Sequence, residues 1–184
     1  SLGKFYYYAE LSAETVRRVA APPDFIRRFG RYRANSTVWV NTTASPDVPE
    51  VAEAAANLFE LTNHVKTDGA ILLDPKGIAA LMPPDRTVSV PGAQHSITRE
   101  ELPQFIYSDS YAELGGGKPR RRKALLHLGE AVFAEVINGG MNIDTLQSVG
   151  EAIGAQHIRI VSFHEHEQKV LDRAAVSGDL ATDA

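Results

Sequence analysis

Apolar positions recur along this chain in two periods, and the two alternate. Val48, Val51, Ala52, Ala55, Leu58 and Phe59 fall on one face at helical spacing, so that face is expected to be core. Ser45 reads as the N-cap of this helix and Pro46 as its first residue, with Asp47 and Glu50 complementing the dipole. The longest helical pattern runs from Pro119 to Asn138. Its stripe is Leu125, Leu128, Val132, Val136 and Ile137, and Gly139-Gly140 ends it. Shorter helices are predicted over Ala13–Ala20, Asp24–Phe29, Pro75–Leu81, Asn142–Ile153 and Glu165–Ala174. Another starts at Thr98, a cap with Glu101 three residues later.

Between these lie strand patterns. Lys4–Leu11 is aromatic-rich, and Thr37–Asn41 is short and apolar. Ala70–Leu73 is an unbroken apolar run, as expected of a strand buried on both faces. Thr87–Val90 alternates and ends at Pro91-Gly92; His157–Phe163 alternates as well. Strands separated by helices predict an α/β fold, a mixed β-sheet flanked by helices. Residues 1–176 read as one such domain and 177–184 as a loose polar tail. Gly115-Gly116-Gly117 is a flexible break.

Composition changes this picture little. The 184 residues suffice for a substantial core. A net charge of -4 gives no global field for nucleic acid or an anionic membrane. The absence of cysteine excludes disulfides, thiolate metal sites and thiol nucleophiles. No run approaches the roughly 20 apolar residues that span a bilayer. Ser1-Leu2-Gly3-Lys4 lacks Met and leads straight into a strand-like segment, so the chain reads as a piece of a longer protein whose signal or anchor lies elsewhere.

Local charge is more informative. Lys118, Arg120, Arg121, Arg122 and Lys123 follow three glycines at a predicted helix N-terminus. Cations there oppose the helix dipole, which favours an anion as their partner. Free backbone N–H groups and guanidinium forks together suit phosphate. Two other readings stand beside this one: a solvated basic turn, and non-specific contact with a polyanion. The glycine spacing and the missing Lys-Ser/Thr ending exclude a P-loop.

His164 and His166 are weak metal candidates, because histidines two apart share a side only on a strand and a solvated helix start is the plainer reading. Of the loop carboxylates, Asp47 is most simply a helix-start residue, Asp68 a turn residue and Asp74 a strand stop. Asp74 has a sharper alternative, since strand-end carboxylates reach ligand crevices in α/β sheets. Asp109 joins Asp47 and Asp74 as a secondary candidate. Trp39 and Tyr6–Tyr8 suit packing better than a cleft. One basic cluster without interleaved aromatics does not make a nucleic-acid module. No GxSxG elbow or locally partnered nucleophile is found, so no catalytic residue is assigned.

Several segments occur in a familiar order: Ser45-Pro46-Asp47-Val48-Pro49, Thr67-Asp68-Gly69-Ala70-Ile71-Leu72-Leu73-Asp74-Pro75 and Val90-Pro91-Gly92. Phe105–Tyr111 and Val161–Leu171 continue it. Together they resemble a bacterial family, domain of unknown function four-thousand-and-twelve. Val48 stands where that pattern has phenylalanine, and Pro83-Pro84-Asp85 where it has glycine-proline-valine.

That family is in turn similar to the LytR-CpsA-Psr glycopolymer transferases, whose Gly-Arg-x-x-Arg-Gln-Gln helix start corresponds to Gly117–Lys123. The resemblance implies a LytR-CpsA-Psr-like layered architecture and an extracytoplasmic, cell-envelope location with membrane tethering through other parts of the protein. It also implies a polyprenyl-phosphate or envelope-glycan partner. Lys118 and Arg121 would be pyrophosphate ligands, with Arg120 and Arg122 beside them. If the domain is an enzyme, the reaction is phosphoglycosyl transfer and Mg2+ is its cofactor. Arg122 and Lys123 replace the glutamines, and the relatives' magnesium-binding aspartate comes from an earlier strand not found here. The alternative is a non-catalytic module that binds protein or polymer.

Overall fold

A computed structural model describes residues 45–114, 117–139 and 142–178, with Pro23, Arg27, Arg28 and Arg31. The strands expected over Lys4–Leu11 and Thr37–Asn41, the helix over Ala13–Ala20, and Trp39 with Tyr6–Tyr8 lie outside the described residues; of the helix expected over Asp24–Phe29, Arg27 and Arg28 are described and are helical. In chain order the elements are α1 (Val48–Asn63), β1 (Gly69–Leu73), α2 (Pro75–Leu81), β2 (Thr87–Val88) and β3 (Ile97–Thr98). Then come α3 (Leu102–Gln104), a π-helical turn (Phe105–Asp109), α4 (Ser110–Glu113), α5 (Lys118–Gly139), α6 (Ile143–Gly154), β4 (Ile158–Ser162) and α7 (Glu165–Arg173). The architecture is α/β as expected. Among the described residues the strands form two two-stranded sheets, β1 with β4 and β2 with β3. The described residues belong to two compact units, 73–158 in one and 45–72 with 159–178 in the other.

In the unit of 45–72 and 159–178, α1 starts two residues later than expected. Asp47 is its N-cap and accepts from Glu50 N–H at 3.3 Å. Ser45 instead accepts the Asp47 N–H at 3.2 Å and donates to Glu50 Oε2 at 2.9 Å. The cap moves because Pro49, not Pro46, occupies the first helical turn. Val48, Ala52 and Val161 form a core against which Ala70 and Leu72 pack. Phe163 N–H bonds Asp68 O at 2.8 Å and Asp74 N–H bonds His157 O at 3.2 Å, so β1 and β4 run antiparallel. This ladder corrects the expectation of a strand buried on both faces. Ala70 and Leu72 face the core, and Ile71 between them is 64% exposed. The chain also stays packed beyond residue 176: Ser177 is 2% exposed and Gly178 lies against Arg159 and Val48.

The unit of 73–158 is built around Met82, Leu102, Phe105, Leu114, Leu128 and Val132, all buried. In α5 the buried stripe is Ala124, Leu128 and Val132, while Ile137 at its far end is exposed. That corrects the predicted stripe: α5 runs on past the buried core residues, and Ile137 in its last turn is left exposed. Thr98 and Glu101 cap one another's N–H groups at 3.3 and 3.0 Å, the box read from their spacing. Thr98 N–H and hydroxyl hydrogen bonds, with smaller help from His95, hold the Glu101 carboxyl below its ordinary range. Ala93 N–H bonds Val90 O at 3.0 Å across Pro91-Gly92. Proline at the second position and Gly92 at φ 94° make this a type II turn.

At the end of α6, Gln156 adopts φ 64° and His157 N–H reaches back to Ala152 O at 2.8 Å. That termination lays the His157 carbonyl against Gly77 in α2, so closely that a β-carbon at Gly77 would overlap His157 O. Gly77→Ala is therefore expected to lose about 3 kcal/mol in urea denaturation. Gly150 faces open space on α6, and Gly150→Ala should gain about 0.5–1 kcal/mol from helix propensity.

Candidate functional site

The basic segment opens α5, and helical geometry divides its members between faces. Arg120, Lys123, Ala124 and His127, spaced three, four and seven apart, share one face. They line a cleft of about 310 Å³ whose opposite wall is the Pro91-Gly92 turn. Arg120 and Lys123 are exposed at its rim. Among the described residues neither has a hydrogen-bond or ion-pair partner. His127 points Nδ1 at Glu130 Oε2, 3.2 Å away on the next turn. The first turn of α5 carries no acidic residue. Two cations therefore stand beside the positive end of a 22-residue helix with no carboxylate in its first turn to offset them.

Arg121 points elsewhere, and the reason lies in the π-helical turn. Ser110 N–H bonds Phe105 O, five residues back, so Ile106 O lacks the donor an α-helix would supply. Arg121 Nη2 takes that place at 2.8 Å, and its Nε bonds Ser110 Oγ at 2.9 Å. The guanidinium also stacks on the Tyr111 ring, 3.7 Å from its centroid. One side chain thus repairs the irregular backbone and ties α4 to α5. Arg122 is half-buried. Lys118 begins the helix, and its side chain lies outside the described residues.

The secondary candidates go to separate places. Asp74 caps α2, accepting from Lys76 and Gly77 N–H at 2.9 Å each, and its second oxygen meets His157 Nδ1 at 2.7 Å. Burial raises the Asp74 pKa, but hydrogen bonds from Gly77 and His157, attraction to His157 and the Lys76 bond outweigh it and hold the carboxyl below its ordinary value. Asp109 accepts from Ser108 Oγ at 2.8 Å and Gln104 Nε2 at 3.3 Å on its own helix. Asp47 lines a second cleft, of about 340 Å³, with Glu50, Glu53 and Asp172, where carboxylates would repel a phosphate.

His164 meets Asp68 at 3.3 Å, both well exposed, and His166 is exposed on α7. Among the described residues no three His, Asp or Glu side chains converge into a metal-binding group. His127 and Gly92 were not singled out in the sequence. His127 could have been found from its spacing to Arg120 and Lys123; Gly92 could not, because only the fold brings residues 92 and 120 together.

The described residues form small α/β units, one of which carries a cationic cleft. No helix among the described residues is long and apolar enough to cross a membrane. The chain belongs to the family described as protein of unknown function DUF4012, whose model matches residues 1–111. The match includes the Pro91-Gly92 wall and the π-helical turn, and it stops before α5. No curated protein and no solved structure matches the chain.

Two expectations follow from these contacts. Asp74→Asn keeps an acceptor for the cap but removes the charge. Because the folded pKa of Asp74 is depressed, its ionic contribution is complete above the unfolded value near 4 and is lost as pH falls through the folded value. The stability gap between wild type and Asp74→Asn should shrink as pH falls below about 4, read from urea midpoints. Asp74→Ala also loses the cap and should cost about 1 kcal/mol more. Arg121→Ala should destabilise by about 2 kcal/mol, and Arg121→Lys should recover little, since one ammonium cannot serve both acceptors and the ring. Unchanged urea midpoints would show that Arg121 does not hold the π-helical turn.

Proposed function

We propose that this chain is an anion-recognition domain of the cell envelope that takes the pyrophosphate of a polyprenyl carrier in the cleft between Pro91-Gly92 and α5. The observation that carries the proposal is the pair Arg120 and Lys123, which face the cleft beside a helix N-terminus without a carboxylate partner among the described residues. An anion there offsets both the like charges and the helix dipole, a mismatch worth about 0.3–1 kcal/mol per charge when uncompensated. Arg120 supplies a planar fork suited to two phosphate oxygens, and Lys123 a compact charge one turn on. In this proposal Arg121 supports the site by fixing α5 rather than by touching the ligand.

The envelope location and the lipid carrier rest on motif order and on the similarity of Gly117–Lys123 to the LytR-CpsA-Psr helix start. The proposal concerns recognition; phosphoglycosyl transfer would need groups that the described residues do not bring to the cleft. Exposed Ile143 and Leu146 on α6 favour a second reading, a module that docks protein or polymer through that helix.

Calorimetry at low salt separates the two. Inorganic pyrophosphate should bind the 184-residue chain. Arg120→Ala and Lys123→Ala should each weaken it about tenfold without moving the urea midpoint. A polyprenyl pyrophosphate in mixed micelles should bind more tightly than pyrophosphate alone, while an unphosphorylated glycan should not bind. No heat with either phosphorylated compound would discard the proposal in favour of the docking module.

A further inference from the structure

Arg120 is the outermost arginine of the cluster, and no hydrogen bond among the described residues fixes its guanidinium. Its position is set instead by what lies behind it. A β-carbon built on Gly92 would stand 3.0 Å from Arg120 Nη2, 3.7 Å from Arg120 Cζ and 3.4 Å from Leu114 Cδ2. The guanidinium thus rests against the bare α-carbon of the turn, in space that any other residue would fill. Leu114 is buried, 1% exposed, and cannot retreat. Added bulk at residue 92 must therefore displace the far end of Arg120 by a few tenths of an ångström, besides straining a backbone held at φ 94°.

We propose that Gly92 is the positioning residue of the anion site: it seats Arg120 against the type II turn, so that the guanidinium is oriented before the ligand arrives. The role rests on the cleft being the pyrophosphate site proposed above. Preorientation matters because a free arginine loses side-chain rotational entropy on binding, and a seated one has already lost it. The turn also requires glycine at φ 94°, so the same residue satisfies the backbone and leaves room for the guanidinium. This makes Gly92 a functional position that has no polar atom of its own to offer a ligand beyond its backbone.

A double-mutant cycle with inorganic pyrophosphate tests the role. Gly92→Ala should weaken binding about tenfold in the wild-type background and leave it unchanged in the Arg120→Ala background, because its effect passes through Arg120. A purely structural role would weaken binding equally in both backgrounds and would overturn the inference. So would Gly92→Ala binding pyrophosphate as wild type does while Arg120→Ala does not; that outcome leaves the anion site standing. If wild type binds no pyrophosphate, the proposed function fails, and the seat itself is still open to measurement. Nuclear Overhauser contacts between Gly92 α-protons and Arg120 guanidinium protons in the wild-type chain should be present. Their absence overturns the inference, even if Gly92→Ala does not fold.

Discussion

A single guanidinium organises the candidate site. The π-helical turn at Phe105–Asp109 shifts the Ser110 N–H from Ile106 O to Phe105 O, and Arg121 supplies the donor that Ile106 O then lacks. A part-buried carbonyl without its helical partner is costly, and Arg121 supplies the shorter of its two replacement donors, the Ser110 hydroxyl at 3.5 Å being the other. Because Arg121 sits in the first turn of α5, that repair also fixes how the helix begins. Arg120 and Lys123 face the Pro91-Gly92 turn as a consequence of helical geometry once Arg121 is anchored. Arg121 therefore has a different role from Arg120 and Lys123.

The boundary of the family match gives this arrangement a particular meaning. The model ends at residue 111, so it covers the π-helical turn and the cleft's Pro91-Gly92 wall, and the basic wall comes from the following helix. Asp74, within the matched part, holds the scaffold. It caps α2 and pairs with His157, which itself terminates α6, so three elements meet at one carboxylate. Both of its oxygens are engaged in these bonds, which is the structural role read for a residue that stops a strand and starts a helix.

Much of the local structure was legible from residue spacing. The Asp74-Pro75 start of α2, the Thr98–Glu101 box, the helix beginning at Asn142 and the long helix after Gly117 follow from short-range rules, because a cap or a stripe is decided within one or two turns. Ser45 lost the cap to Asp47 by two residues, a margin at which competing short polar side chains are nearly equal in energy. Ile71 and Ile137 were assigned to the core and are exposed, since apolar character shows that a residue can be buried and not that a neighbour is there to bury it.

The sequence by itself determined that this is an α/β chain with a cationic helix start, since helix period, capping and charge are properties of contiguous residues. Only the tertiary structure decided what each cation does. Whether an arginine meets a carbonyl, a ring or an open cleft depends on which distant segment packs beside it. Residues 92 and 106 are brought to 120 and 121 by the core of Leu102, Phe105, Leu114 and Leu128. Similar positive charges in one short segment thereby become an anchored guanidinium at Arg121 and two cations facing a cleft, Arg120 and Lys123.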